Sequence, residues 1–213
     1  MEGLETLSNR ILTSSKRYYA PTPLQTLPSL DFTNPSNYSL DRTTITGTDH
    51  GHNKDGSSPW SSVLLSDTYT SGVVSVTITI LSNRYGALRF GLMDSNNPIP
   101  EIDEVLGAGV KNSISLDTSG HLNINTPSSR SFLPSHFRLK EGVCVRMEVD
   151  LDSTPRKVQF FVNGEAGRRY VSGIPSSVRI GFSVWREGIS FRIDNISRLS
   201  QPTPISKEMV EVK

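Results

Sequence analysis

The residue types that could ligate a metal ion are concentrated in segment 47–60, GTDHGHNKDGSSPW, where His50 and His52 lie beside Asp49 and Asp55. Structural zinc sites use four ligands at better-defined spacings, with cysteines or a second histidine pair. This spacing does not match, so the sequence predicts no metal ion and no cofactor. The segment is polar and long for a strand connection, which leaves two interpretations: a binding loop or a flexible loop without a role.

Asp150 and Asp152, which stand two positions apart, could instead suggest calcium. A helix–loop–helix calcium site that began at Asp150 would need glycine at its sixth position and glutamate at its twelfth. Pro155 and Phe161 occupy these positions. The two aspartates are therefore predicted to accept hydrogen bonds from backbone amides in a turn.

Covalent and hydrolytic catalysis have little support in the sequence. The single cysteine, Cys144, lies among alternating apolar residues, where a thiol is usually either inert packing or an exposed strand position. We find no GxSxG, HExxH or phosphate-binding loop. The sequence therefore predicts a protein that is not an enzyme.

Two segments have residue types that are typical of interfaces. Trp185 and Arg186 lie in a short turn, and tryptophan and arginine are the side chains that most often anchor protein contacts. The alternative is that Trp185 closes the end of the core while Arg186 pairs with Glu187. Segment 94–110 combines acidic side chains with apolar isoleucines and suits a basic or amphipathic peptide, unless it is only a solvated face. Its acidic residues are Glu101, Asp103 and Glu104, and its isoleucines are Ile99 and Ile102.

Composition excludes several functional classes. The formal charge is +1, so no overall field favours nucleic acid or a membrane surface. One cysteine excludes an intramolecular disulfide. We find no signal peptide and no run of about 20 apolar residues that could span a membrane. We therefore expect an intracellular (cytoplasmic) monomer.

Hydrophobic periodicity predicts the elements. Leucines and isoleucines at helical spacing predict a short N-terminal helix over residues 4–17, followed by a proline-containing connector to residue 27. Residues 28–200 are predicted to form one β-sandwich, and residues 201–213 a tail with a possible edge strand. The predicted strands cover 41–47, 61–66, 72–82, 87–93, 112–117, 120–125, 143–151, 156–163, 166–172, 177–185 and 188–194.

The clearest pattern is a hairpin over residues 143–164, VCVRMEVDLDSTPRKVQFFVNG. Apolar residues recur at every second position in its first half, as in a strand with one buried face. Asp152-Ser153-Thr154-Pro155 supplies the turn, and the return strand ends at Asn163-Gly164, which accepts positive φ readily.

Together with this hairpin, short phrases in the rest of the chain resemble, in order, the pattern of the SPRY domain family. These phrases are Trp60-Ser61-Ser62-Val63-Leu64-Leu65, Thr70-Ser71-Gly72-Val73-Val74, Leu88-Arg89-Phe90-Gly91-Leu92, Val105-Leu106-Gly107, Ser119-Gly120-His121-Leu122 and Ile180-Gly181-Phe182-Ser183-Val184-Trp185. The likeness covers roughly residues 28–199. Two places depart from the pattern: Val74-Ser75-Val76-Thr77 lacks the usual tryptophan, and Glu141-Gly142 stands before the hairpin where the family has Gly-Asp.

The resemblance implies an all-β fold, a bent sandwich of two antiparallel sheets that holds partner proteins at the loops of one end and has no catalytic activity. In the SOCS-box subgroup, the partner pocket is built at positions that match Ile102 and Trp185-Arg186 here. That subgroup has a tyrosine where this chain has Ile102. The subgroup's peptide specificity is therefore not expected to apply to this chain.

The sequence thus predicts a non-catalytic module that binds a protein or peptide. The candidate partner-binding residues are Trp185, Arg186, Ile102, Glu101, Asp103, His50, His52 and Trp60. A lectin-like sandwich is the first alternative, although the chain offers few aromatics for stacking on a sugar. A glycoside hydrolase is the second, and it would require two carboxylates about 5–10 Å apart in a cleft.

Overall fold

The computed structural model describes residues 28–48, 59–83 and 87–213. The predicted N-terminal helix over 4–17 lies outside these ranges, as do His50 and His52. Within them, no helix is long and apolar enough to cross a membrane. The strands are Leu30–Phe32 (β1), Tyr38–Asp41 (β2), Thr44–Gly47 (β3), Trp60–Leu65 (β4), Val73–Ser82 (β5), Ala87–Asp94 (β6), Ser113–Asp117 (β7), His121–Asn125 (β8), Arg130–Pro134 (β9), Cys144–Asp150 (β10), Lys157–Val162 (β11), Glu165–Ser172 (β12), Val178–Trp185 (β13), Ser190–Leu199 (β14) and Val210–Val212 (β15).

The strands form two sheets that pack face to face. Sheet A has seven strands in the order β1-β4-β13-β6-β7-β8-β9, and sheet B has eight in the order β15-β12-β11-β10-β5-β14-β3-β2. The predicted all-β, two-sheet sandwich is confirmed. One pairing departs from the predicted antiparallel arrangement, because β15 pairs in parallel with β12.

The predicted hairpin is confirmed as β10 and β11, with Val145 opposite Val162 and Val149 opposite Val158. Asp150 Oδ1 accepts from the N–H groups of Asp152 and Ser153 at 3.2 and 3.0 Å. Asp150 is therefore a turn former, as predicted, whereas Asp152 Oδ1 accepts from the N–H of Gly72, 80 positions away, at 2.7 Å. The hairpin thereby extends its contacts to the start of β5.

The turn after β11 has the conformation that its sequence favours. Asn163 and Gly164 have φ angles of 48° and 82°. This left-handed conformation costs little for glycine and for asparagine. Asn163 Oδ1 also accepts from the N–H of Cys144 at 3.0 Å, which ties the turn back to the first residue of β10.

Some strand predictions were wrong. The strand predicted over 41–47 is two strands, because the chain reverses at Arg42, whose φ is 53°. The last long strand, predicted over 188–194, is Ser190–Leu199, and its register shifts between Ile193 and Asn195. This irregularity breaks the alternation of apolar and polar residues, so the strand that periodicity predicts stops at residue 194, before the strand itself ends.

The core between the sheets is centred on phenylalanines that belong to both layers. Phe182 of β13 stacks on Phe90 of β6 with ring centroids 5.1 Å apart, and it contacts Phe191 of β14 at 4.5 Å. Phe90 meets Phe160 of β11 edge-on at 6.3 Å. Because Phe182 and Phe90 come from sheet A and Phe191 and Phe160 from sheet B, these contacts join the two sheets.

A second, smaller apolar cluster lies on the outer face of sheet A. It comprises Leu64, Met93, Leu106 and Val110. Leu106 and Val110 belong to residues 95–112, the connection between β6 and β7, which we call the 95–112 loop. The loop therefore packs across the outer face of sheet A.

We expect Phe182→Ala to lower the free energy of unfolding by about 3–5 kcal/mol, because it removes a fully buried ring at the junction of the sheets. Urea denaturation followed by circular dichroism measures this loss. Phe132→Ala is the matched control, since Phe132 is 59% exposed, and we expect it to cost about 1 kcal/mol or less. Equal losses for the two variants would contradict the assignment of the core.

Candidate partner-binding surface

Trp60 and Trp185 lie side by side at the same end of sheet A. β4 begins at Trp60 and β13 ends at Trp185, and the antiparallel pairing places them directly opposite each other. Their ring centroids are 6.3 Å apart, with the planes inclined by 25°. Two partly exposed indole rings therefore form one surface feature.

The tryptophans project from the outer face, away from the space between the sheets. Side chains alternate along a strand, and the neighbours Val184 and Val63 belong to the inter-sheet core. Trp185 shares the opposite face with Ser183, and Trp60 shares it with Ser62. The alternative in which Trp185 closes the end of the core is therefore wrong.

Two arginines flank the indole pair. The guanidinium carbon of Arg186 lies 4.1 Å from the ring centroid of Trp185, and that of Arg89 lies 5.2 Å from the centroid of Trp60. Both distances are within the range of cation–π attraction. We call Trp60, Trp185, Arg89 and Arg186 the Trp–Arg cluster.

Arg89 is a member of the cluster that the sequence analysis missed. It is half-buried, and its Nη1 donates to the carbonyl oxygen of Leu106 at 3.0 Å. Burial lowers the pKa of Arg89, and the carboxylate of Asp117 partly opposes this shift. Its Nε is buried with no hydrogen-bond partner among the described residues. A charged side chain between the inward-facing Leu88 and Phe90 was the signal that could have identified it.

Asp103 joins the 95–112 loop to the start of β4. Its Oδ1 accepts from the N–H of Trp60 at 2.9 Å, and its own N–H donates to the carbonyl oxygen of Trp60 at 3.0 Å. The neighbouring Ile102 is 50% exposed, and Glu101 is also exposed. An apolar side chain and acidic groups are thus positioned next to the Trp–Arg cluster.

Buried serines hold the middle of the same loop on sheet A. Ser183 Oγ accepts from the N–H of Leu106 at 3.2 Å and contacts Ser62 Oγ at 2.8 Å. Ser115 Oγ donates to the carbonyl oxygen of Leu106 at 2.8 Å. These hydroxyls satisfy the loop backbone where water is excluded, so they fix its position on the sheet.

Most of the candidate residues that the sequence analysis named are close together. Trp60, Trp185 and Arg186 belong to the cluster, and Asp103 bonds to its edge with Ile102 and Glu101 adjacent in the chain. His50 and His52 lie outside the described residues. In the part of the chain that the structure describes, no group of three or more His, Cys, Asp or Glu side chains is arranged to hold a metal ion.

No known sequence family and no curated protein sequence matches the chain. The structure is similar to the SPRY domain of human HERC1, with a TM-score of 0.53 and 16% identity over 81% of this chain and 100% of that domain. It is also similar to the metal-free carbohydrate recognition domain of Emp46p, with a TM-score of 0.52 and 14% identity over 83% of this chain and 93% of that one. At these identities the likeness concerns the fold alone.

The chain has a SPRY-like fold of the concanavalin-like sandwich type, so the resemblance is confirmed for the fold. Of the two similar domains, that of Emp46p is by description a carbohydrate recognition domain.

We expect Ser183→Ala to lower the free energy of unfolding by about 1–3 kcal/mol, because the buried N–H of Leu106 loses its acceptor. The backbone amide of Leu106 should also exchange its hydrogen faster, which mass spectrometry or NMR measures. Ser176→Ala is the control, since Ser176 is exposed. Unchanged exchange at Leu106 would show that Ser183 does not position the loop.

Proposed function

We propose that this chain, which has a SPRY-like fold, is a non-catalytic interaction module that holds a peptide or a folded protein partner. The contact surface is the Trp–Arg cluster together with the adjacent residues Glu101, Ile102 and Asp103. This is the type of function that the resemblance to SPRY domains implies.

The observation that supports the proposal most strongly is the indole pair with its two arginines. Tryptophan and arginine are the residue types most enriched among side chains that dominate binding energy. Trp185 is partly exposed, so its ring can lose water on contact with an apolar side chain of the partner. An apolar anchor at this ring would contribute most of the affinity.

The cluster is also held in place before any partner arrives. Trp60 is fixed at both backbone groups by Asp103, and Trp185 is fixed by its pairing with Trp60 and Ala87. A surface that is already ordered loses less conformational entropy on binding. The proposed site therefore fits a short peptide, for which this entropy loss is a large fraction of the interaction energy.

Charges around the cluster favour a partner with basic groups. The three acidic side chains Glu101, Asp103 and Glu104 are exposed, and they outnumber the two arginines of the cluster, of which Arg89 is half-buried. Complementary charges at the rim of an interface set orientation and association rate more than affinity. We therefore propose a partner segment with an apolar anchor beside basic side chains.

Carbohydrate binding is the second candidate, supported by the likeness to the Emp46p domain and by the two partly exposed indole rings. Aromatic rings can stack against the apolar face of a sugar ring. If this function is correct, we expect a glycan array to give hits with the wild-type chain that are lost in Trp185→Ala. An array without hits would remove this candidate.

The protein-binding function is tested with peptides selected from a random-peptide phage library by the wild-type chain. We expect Trp185→Ala to weaken binding of the selected peptides by roughly 30-fold or more, since loss of a central anchor costs about 2 kcal/mol or more. Ile102→Ser should also weaken binding, because it removes the exposed apolar side chain from the rim without adding charge. Isothermal titration calorimetry measures both effects.

Two controls make this experiment decisive. Phe132→Ala removes another exposed aromatic from β9, at the opposite edge of sheet A, and should leave peptide affinity unchanged. Circular dichroism and the melting temperature of Trp185→Ala should remain close to wild type. If the library yields peptides whose affinity depends on Phe132 and not on Trp185 or Ile102, the proposed surface is wrong.

A further inference from the structure

After β14 the chain crosses the outer face of sheet B, the layer opposite the Trp–Arg cluster, and then forms the edge strand β15 of that sheet. We call residues 200–213 the C-terminal segment. It ends in β15, in which Val210, Glu211 and Val212 pair with β12, and Ser172 Oγ donates to Glu211 Oε1. Its first half is held by a different contact, centred on Thr203.

Thr203 is bound through three of its groups. Its N–H and its hydroxyl both donate to the carboxylate of Glu148, the hydroxyl at 2.8 Å from Oε2. Its carbonyl oxygen accepts from Gln159 Nε2 at 3.0 Å. Glu148 is only 1% exposed and also accepts from Arg146 Nη1 at 2.6 Å. The Thr203 hydroxyl therefore donates directly to a buried carboxylate, that of Glu148.

Residues 204–209 of the C-terminal segment are held less firmly. The side chains of Pro204, Ser206, Lys207 and Glu208 are exposed, and residues 206–209 form a local turn in which the N–H of Met209 donates to the carbonyl oxygen of Ser206 at 3.0 Å. The terminal strand is three residues long. Segments with few buried contacts open locally without unfolding of the whole domain. Thr203 can thus become accessible while the sandwich stays folded.

The residues around Thr203 are also suited to recognition by an enzyme. Thr203 lies between Pro202 and Pro204. Proline fixes its own φ and biases the preceding residue towards an extended conformation. A threonine followed by proline in extended conformation is the substrate type of proline-directed protein kinases.

We propose that Thr203 is a phosphorylation site and that its phosphorylation releases the C-terminal segment from sheet B. A proline-directed kinase transfers the γ-phosphoryl group of ATP to Thr203 Oγ1. The new bond is P–O to Oγ1, the bond between the γ-phosphorus and the β–γ bridging oxygen breaks, ADP leaves and the hydroxyl proton passes to the kinase base and then to solvent. This site is independent of the proposed partner-binding surface.

The physical reason for release is repulsion at Glu148. Phosphate adds about −1.5 to −2 charge at neutral pH and removes the hydroxyl donor. While Glu148 stays buried, water cannot screen the repulsion between its carboxylate and the phosphate. The guanidinium of Arg146 is already bonded to Glu148 and packed over the ring of Phe161 at 3.6 Å. The docked position of Thr203 is therefore lost. The segment is then held only by the three-residue β15, by the Ser172–Glu211 hydrogen bond and by the packing of Val212, so its opening equilibrium shifts towards release.

The first test uses the full chain with phosphothreonine incorporated at position 203. We expect hydrogen exchange of the Val210–Val212 amides to accelerate about tenfold or more, since loss of hydrogen bonds to a charged group shifts an opening equilibrium by at least that factor. Phosphatase treatment should restore slow exchange. Phosphoserine at position 206 is the matched control, because Ser206 is exposed in the same segment and does not contact Glu148. Unchanged exchange with phosphothreonine, or equal acceleration in the control, would overturn the release step.

The second test asks whether the folded protein is a substrate. The wild-type chain, Thr203→Ala and a synthetic peptide of residues 199–213 are incubated with a purified mitogen-activated protein kinase and ATP. We expect mass spectrometry to locate phosphate on Thr203 in the wild-type chain and in the peptide, and to find none at this position in Thr203→Ala. Absence of phosphate on Thr203 in the folded chain, whether or not the peptide is modified, would overturn the proposed site.

Discussion

Contact between the phenylalanines of the two sheets is the interaction on which the other features of this structure depend. Phe182 packs against Phe90 in its own sheet and against Phe191 in the other. These contacts fix which face of β13 points inward and how far β13 is shifted along its length relative to β14. Aromatic pairs of this kind add about 0.5–1.5 kcal/mol beyond the area that they bury. Because side chains alternate along a strand, fixing Phe182 inward also places Ser183 and Trp185 outward.

The arrangement of side chains on the outer face of sheet A depends on this constraint. Ser183 meets the N–H of Leu106 and so holds the 95–112 loop on the sheet, while Asp103 connects the same loop to Trp60. The loop is long, yet its backbone groups are satisfied by buried hydroxyls and its leucine packs in a small apolar cluster. The exposed part of the loop is consequently held beside the indoles, in a position where a partner can touch both.

Much of the fold and part of the candidate surface could be predicted from the sequence. The β10–β11 hairpin was predicted correctly because regular alternation and turn residues act over a few positions. β1 and β9 were missed because short edge strands carry little periodic signal. Arg89 was missed because its association with Trp60 depends on which strands lie side by side: β13 lies between β4 and β6, although it is far from both in sequence.

The sequence by itself determined the class of fold, the division of each strand into a buried and a polar face, and the positions of the turns. These features follow from local spacing and backbone preference. Only the tertiary structure decided that Trp60 and Trp185 are neighbours, that both project away from the core, and that Thr203 bonds to the buried Glu148. The physical reason is range. Alternation and turn chemistry act between residues that are close in the chain, whereas strand order and strand register arise from packing between distant residues. The two tryptophans are more than a hundred positions apart, and Thr203 and Glu148 are more than fifty positions apart.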